Sequence, residues 1–218
     1  NLGYEPQWVL TKNRQTGSST TFDQWKISDN MRGMPVTTSN ITQALFPNSS
    51  AAETNRGNYL SPTATGFNVQ EARANNTFIY IAIRRGPMKT PTSGTSVFSP
   101  QAVTGDNSTS GTSIGFPPDL FVTAARSAYG YYWYDRLRGS NGTSLLFLTS
   151  TATNAESSAS DNPQSLGQNT VAFPSGGGFW NSSAYNFSRL NFRRAPSFMD
   201  VVCYTGTGSA RTVTHNLG

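Results

Sequence analysis

The 218-residue chain is long enough for one large or two small domains, while its single cysteine, Cys203, excludes an intrachain disulfide framework. Its single histidine, His215, excludes His-rich metal sites and a His-based catalytic pair anywhere else. Only 12% of residues are charged, roughly half the usual share, against 27 Ser, 27 Thr, 19 Asn and 20 Gly, so the chain is polar through hydroxyls and amides, which favour turns and exposed strand faces over helices.

Taken in chain order, Trp8-Val-Leu-Thr follows a Gly-x-x-Pro turn signal and predicts the first strand. Ser39 to Phe46 has a modest short-helix pattern, with Ser39 or Asn40 as its cap. The apolar run Phe78 to Ile83 predicts a strand rather than a buried helix, and the uncharged stretch Thr90 to Thr95 reads as a linker. Gly105 to Gly115 and Thr149 to Gln168 read as long loops, with strands predicted at Phe121-Val-Thr, Leu145 to Leu148 and Val201 to Tyr204 between and beyond them. Arg211 to His215 alternates and predicts a half-solvated edge strand. No stretch approaches the roughly 18 apolar residues of a membrane span, and Asn1 to Glu5 lacks a basic-then-apolar signal pattern, so a soluble chain without membrane insertion is expected.

The chain also matches itself, the observation that most constrains its fold. Gly3 to Arg14 aligns with Gly115 to Arg126 without a gap. Trp25, Asp29, Arg32 and Gly33 are answered by Trp133, Asp135, Arg138 and Gly139, with a short deletion. Ser50 to Glu53 resembles Thr153 to Glu156, Gly66-Phe67 recurs as Gly178-Phe179, and Arg84 to Pro87 recurs as Arg193 to Pro196. A third trace lies in Phe198 to Gly218, which parallels Phe98 to Gly115 and closes on the Asn-Leu-Gly with which the chain opens. The expectation is a segment of a longer tandem array with a unit of about one hundred residues. Many short strands at turn-punctuated spacing predict an all-β fold of two tandem related β-sandwich (jelly-roll-like) units. The first unit spans 1–89 without its opening strands, a linker spans 90–96 and the second unit spans 97–196. Residues 197–218 supply opening strands of a further unit or complete the first.

These residues carry a resemblance. The patterns at Gly115 to Leu120, Tyr134 to Gly139, Phe78 to Met88, Tyr204 to Gly208 and Thr212 to Gly218 are similar to a repeated domain of uncharacterised function in tail-fibre and other virion proteins of tailed bacteriophages. The resemblance covers nearly the whole chain. It implies a structural or adhesive virion module, extracellular, homotrimeric as fibres commonly are, in contact with other virion proteins and a host surface glycan or protein. It implies neither catalytic residues nor a cofactor.

Functional side chains are weighed against structural roles. The net charge of +5 comes from basic residues that stand singly or as the pairs Arg84-Arg85 and Arg193-Arg194, so the basic stripe of a nucleic-acid binder is missing. Asp29 with Arg32 and Asp135 with Arg138 recur in both halves, as a salt-bridged corner would; Glu5 and Asp119 sit at turn signals where carboxylates cap backbone N–H groups. His215 reads as a hydrogen-bonding turn or edge residue. Gly105 to Gly111 and Asp161-Asn162 lack the alternating carboxylates of a calcium loop, and Gly176 to Gly178 lacks the Lys-Ser/Thr ending of a phosphate loop, so no metal or phosphate site is assigned. The aromatic run Tyr129 to Tyr134 is the remaining signal, because rings with polar tips suit sugar or protein recognition. Trp133, matched to Trp25, and Tyr134, at the shared corner, read as packing residues. Tyr129, Tyr131 and Tyr132 face small residues of Gly17 to Thr21 in the first copy and are the candidate ligand-binding residues. The expected function is a non-enzymatic module of a tail fibre or similar appendage, in host attachment or as a spacer; the alternatives are a secreted or cell-surface carbohydrate-binding adhesin and, third, a depolymerase.

Overall fold

A computed structural model describes residues 1–14, 24–34, 43–56, 59–69, 77–84, 88–127, 129–215 and 217. Among these, strands dominate and helix is limited to single 3-10 turns. The strands are β1 (Pro6–Asn13), β2 (Lys26–Asp29), β3 (Gln43–Ala44), β4 (Thr54–Asn55), β5 (Leu60–Thr63), β6 (Gly66–Val69), β7 (Phe78–Arg84), β8 (Phe98–Thr104), β9 (Leu120–Ala125), β10 (Tyr132–Asp135), β11 (Leu148–Thr149), β12 (Ser165–Leu166), β13 (Val171–Ala172) and β14 (Asn186–Phe192). All named pairs are antiparallel: a sheet ordered β2-β1-β7, a second ordered β11-β10-β9-β14-β8, and the hairpin pairs β3-β4, β5-β6 and β12-β13. The chain is all-β.

The halves share their registers. In the first, Val9 faces Ala82 on one side and Ser28 on the other; in the second, Phe121 faces Asn191 and Tyr134. At the far end Asn13 faces Phe78 as Ala125 faces Phe187. Ile27 bridges Leu45 as Trp133 pairs with Leu148, and Pro62 faces Phe67 as Leu166 faces Val171. Even the entry to each half is held alike, by Leu2 N–H to Thr65 O at 2.6 Å and Ile114 N–H to Asn169 O at 2.7 Å.

Register corrects two of the matches read from sequence. Trp133 occupies the position of Ile27, not of Trp25, and no deletion separates the aromatic residue from the corner. Gly66-Phe67 corresponds to Thr170-Val171 rather than Gly178-Phe179. Gly66 opens a strand, whereas Gly178 turns at φ +56° where an added Cβ would lie 2.3 Å from Asp161 O. Identical dipeptides here do different jobs.

The shared corner is as expected. Asp29 caps a 3-10 turn by accepting Arg32 N–H at 2.9 Å and pairs with the Arg32 guanidinium, which also reaches Glu53 at 2.9 Å. Asp135 accepts Arg138 N–H at 2.7 Å and its guanidinium at 2.8 Å, and Arg138 reaches Glu156 at 3.1 Å. Each corner ends on a left-handed glycine, Gly33 or Gly139, both at φ +74°. The corners also meet, since a Cβ on Gly33 would lie 3.7 Å from Gly139 Cα.

The second half holds the larger core, with Ile114, Phe116, Phe121, Tyr134, Phe173, Trp180 and Phe187 buried together. In the first, Val9, Met34, Tyr59 and Leu60 cluster beneath Phe67 and Ala82, and Lys26 Nζ sits 4.2 Å from the Tyr59 ring centroid. Arg136 ties the halves together. Its buried guanidinium donates to Leu166 O at 2.7 Å and Met31 O at 3.2 Å, and lies 3.6 Å from Asp119, which accepts Arg194 N–H at 2.7 Å. Burial pulls the Arg136 pKa down to about 10, with Asp119 opposing the shift and Arg194 adding to it; Arg136 therefore stays charged at neutral pH.

Three expectations change. Gln43–Ala44 form a strand against Thr54–Asn55, not the end of a helix, while Asn40 and the rest of 39–42 lie outside the described residues. Val201 to Tyr204 and Arg211 to His215 form no strand, because neither meets a ladder partner among the described residues. The Gly17 to Thr21 region and Arg85 to Pro87 also lie outside the described residues.

Asp135→Ala removes a cap and an ion pair at once and is expected to cost about 1–2 kcal/mol, read as a lower urea midpoint. An unchanged midpoint would show that the corner contributes nothing.

Candidate functional site

The aromatic run begins where β9 ends, at the last rung Arg126 N–H to Asn186 O, 2.7 Å. Tyr129 then takes a left-handed backbone (φ +70°), and Gly130 passes so close to Thr151 that a Cβ would meet its Cγ2 at 2.1 Å. A side chain at Gly130 would have to displace that of Thr151. The strand that follows is stitched to the opposite turn by Ser150 N–H to Tyr131 O at 2.9 Å and Tyr131 N–H to Ser150 Oγ at 3.1 Å. Thr149 and Thr151 hydroxyls lie 2.9 Å apart beside them.

From Tyr131 onward, strand alternation sorts the rings. Tyr132 and Tyr134 turn to the core; Tyr131 and Trp133 turn to solvent, 46% and 43% exposed. Tyr134 is fully buried. Its hydroxyl donates to Asn162 Oδ1 at 3.2 Å, as Trp180 Nε1 does at 3.1 Å, and burial raises its pKa far enough to keep it a donor. Tyr132 is wedged 4.9 Å from the Phe147 ring and 4.5 Å from that of Trp180. Tyr129, 63% exposed, caps the solvent end of this chain of rings by an edge contact to Phe179 at 4.9 Å. Phe179 in turn touches Trp180 at 4.7 Å.

The structure therefore divides the residues expected from sequence. Tyr129 and Tyr131 are surface rings, whereas Tyr132 belongs to the core margin. Trp133, read from sequence as a packing residue, is exposed because its register sets it opposite Val122 and Leu148 on the outer face of the sheet, where Leu148 is exposed as well. Period-two alternation across Tyr131 to Tyr134 was the available signal, and the false match to Trp25 hid it. Tyr131, Trp133 and Leu148 share the outer face of the sheet beside the Thr149, Ser150 and Thr151 turn, while Tyr129 stands on Phe179 at the end of the ring cluster. Such a surface can stack on an apolar sugar face or a protein side chain and hydrogen-bond to hydroxyls, without charge.

Elsewhere, a cleft of about 1010 Å³ lies between the end of β7 and the C-terminal segment, with Tyr4, Glu5, Ile83, Arg194, Val201 and Arg211 among its lining residues. Cys203 lies half-buried near it; burial raises its thiol pKa, with the Glu5 and Asp135 carboxylates adding. Among the described residues no cluster of three or more His, Cys, Asp or Glu is placed to hold a metal. The other polar cluster is structural: Arg189, buried, donates to Trp180 O at 2.7 Å and Asn181 Oδ1 at 2.8 Å, and Asn181 donates to Asp106 at 2.7 Å. Hydrogen bonds from Ser108, side chain and backbone, hold the Asp106 carboxyl below its ordinary range.

No family model, curated protein or solved structure matches the chain.

Tyr132→Ala is expected to cost about 2–4 kcal/mol by opening the ring cluster, whereas Tyr129→Ala and Tyr131→Ala each cost under about 1 kcal/mol. Thermal or denaturant melts check this; equal losses at all three would deny the division into surface and core rings.

Proposed function

We propose that the chain is a non-enzymatic structural module of a phage tail fibre or similar virion appendage, built from two tandem related sandwich-like units and working in host attachment or as a spacer. The observation that carries this reading is the recurrence of strand registers between the halves, which suits an extended appendage assembled from repeated links. The hydroxyl-rich, low-charge surface and the resemblance of the repeat to virion modules support it. In this reading the units span 1–89 and 97–196, the protein is extracellular on the virion, and its partners are copies of itself, neighbouring virion proteins and a host surface glycan or protein. Carboxylates tied to arginines at the corners, Asp29, Glu53, Asp135 and Glu156, serve the fold rather than acid–base chemistry.

The second reading, a secreted or cell-surface carbohydrate-binding adhesin, is favoured by the exposed rings Tyr131 and Trp133 beside the Thr149, Ser150 and Thr151 turn and by Tyr129 at the end of the ring cluster. Two experiments separate them. Antiserum against the protein should label the tail appendages of particles whose genome encodes it; unlabelled particles would remove the virion reading. In whole-cell and glycan-array binding, the Tyr129→Ala/Tyr131→Ala double variant should lose roughly tenfold or more in affinity if the patch is the contact. Equal binding would leave attachment to another surface. Release of reducing ends from host polysaccharide would overturn the non-enzymatic assignment.

A further inference from the structure

The two central sheets differ at one edge. Antiparallel strands direct the N–H and C=O of alternate residues to opposite sides. The rungs Arg126 N–H to Asn186 O and Arg193 N–H to Val97 O show that Phe187, Arg189 and Asn191 of β14 point away from β9, to β8, which covers them over all seven rungs. In the first half, the rung Arg14 N–H to Thr77 O sets the same phase, so Phe78, Tyr80 and Ala82 of β7 point away from β1. Among the described residues no strand lies there. The Ala82 carbonyl accepts the Tyr4 hydroxyl at 3.0 Å, a contact that an added strand can replace. Around this open edge Ile79, Tyr80, Ile81 and Ile83 are all half-exposed. Their counterparts Ser188, Leu190 and Phe192 are less exposed and Arg189, the counterpart of Tyr80, is buried. From Phe78 to Ile83 this edge carries neither proline nor charge, which leaves it a template for strand addition up to the charged end at Arg84.

The chain also contains a segment whose sequence matches the strand that covers such an edge. Phe198 to Gly218 parallels Phe98 to Gly115, and Phe198 to Tyr204 occupies the place of β8. It has the features of an edge-covering strand. In β8, Pro100 sits where the backbone faces away from β14, so the sheet cannot grow further; Asp200 takes that place in the C-terminal segment, and charge serves the same end. Yet the segment has no ladder with its own β7. Its start is tied to the second half by the Ala195–Met199 bridge and by the Phe198 ring 6.4 Å from Phe192, its two ends meet through Ser197 N–H to Leu217 O at 2.9 Å, and the cleft separates it from Ala82 to Arg84. The connectivity points outward as well. The strand that follows β7 in the chain does not return to β7 but crosses to β14 of the other half; by the same rule the strand that follows β14 crosses to a β7-type edge of another link.

We propose that the open edge of β7 is the docking site for Phe198 to Tyr204 of a second copy of this chain, added antiparallel with Phe198 opposite Ile83 and Cys203 opposite Phe78. Met199, Val201 and Cys203 then supply the backbone groups that meet Ala82, Tyr80 and Phe78. Each chain gives one strand and accepts one, so the contact closes as a reciprocal exchange between two copies or as a larger ring, or grows into a filament. It deepens the appendage reading by naming its assembly contact, but rests on the repeat and not on attachment, so loss of cell binding with self-association intact would touch only that reading.

Sedimentation velocity over a wide concentration range tests it. The wild-type chain should associate, with a weight-average mass that rises with concentration. Tyr80→Pro removes an outward N–H while leaving the β1–β7 rungs at Ile79 and Ile81, and Ile81→Lys places a charge on the edge without touching the backbone. Val201→Pro removes a ladder donor from the incoming segment. Each is expected to weaken self-association by roughly tenfold or more. A mixture of Tyr80→Pro or Ile81→Lys chains, which still donate a strand, with Val201→Pro chains, which still accept one, should form heterodimers and nothing larger. Wild type that stays monomeric, edge variants that associate as wild type does, or a mixture that fails to pair would each overturn the proposal. So would protection of 198–204 amides from hydrogen exchange in a monomer, which would place the segment on its own β7.

Discussion

The antiparallel ladder between β9 and β14 is the contact on which the second half is built. Its phase sends Phe121, Ala125 and Phe187 into the core and leaves Val122 and Leu190 on the other face. A slip of one residue would reverse every one of these assignments. The same ladder, in the same phase, joins β1 to β7, where Val9 and Ala82 take the inward positions. What differs is the company each ladder keeps. Arg189 is buried against the Phe173 and Phe187 rings and held by Trp180 and Asn181 because β8 closes the edge beside it; its counterpart Tyr80 stands half in water.

Two electrostatic devices hold the ladders in place. The Asp-x-x-Arg-Gly corner pairs a carboxylate cap with a left-handed glycine, so backbone geometry and charge agree at one point. The buried Arg136 then spans the corners, donating to Met31 O from the second half and to Leu166 O within it. A guanidinium this enclosed is costly to desolvate unless it is paired, and here backbone carbonyls take its terminal N–H groups while Nε, without a hydrogen bond, lies 3.6 Å from the Asp119 carboxylate. The corner has a copy in each half. Arg136 does not: its counterpart is Asn30, so this tie belongs to the second half alone.

Much of the architecture was legible in the residues. β1, β7 and β9 follow from apolar runs bounded by turn signals, and the corner follows from its recurrence. The errors have physical reasons. Trp25 and Trp133 look alike as letters, but hydrogen-bond register, which letters do not carry, aligns Trp133 with Ile27 and so exposes it. Tyr132 was grouped with Tyr129 and Tyr131 because a run of tyrosines does not reveal which face of a strand each takes. Val201 to Tyr204 has a strand's composition and is not a strand here, since composition cannot supply a partner for its N–H and C=O groups.

The sequence by itself determined the all-β class, the repeat, the charge-poor surface and the two corners, because these depend on residues close together along the chain. Only the tertiary structure decided which rings reach solvent, that Arg136 would bridge the halves, and that β14 is covered while no strand among the described residues covers β7. Those outcomes depend on which distant strand lies alongside, and a strand's exposure and hydrogen bonding are properties of the pair rather than of either segment.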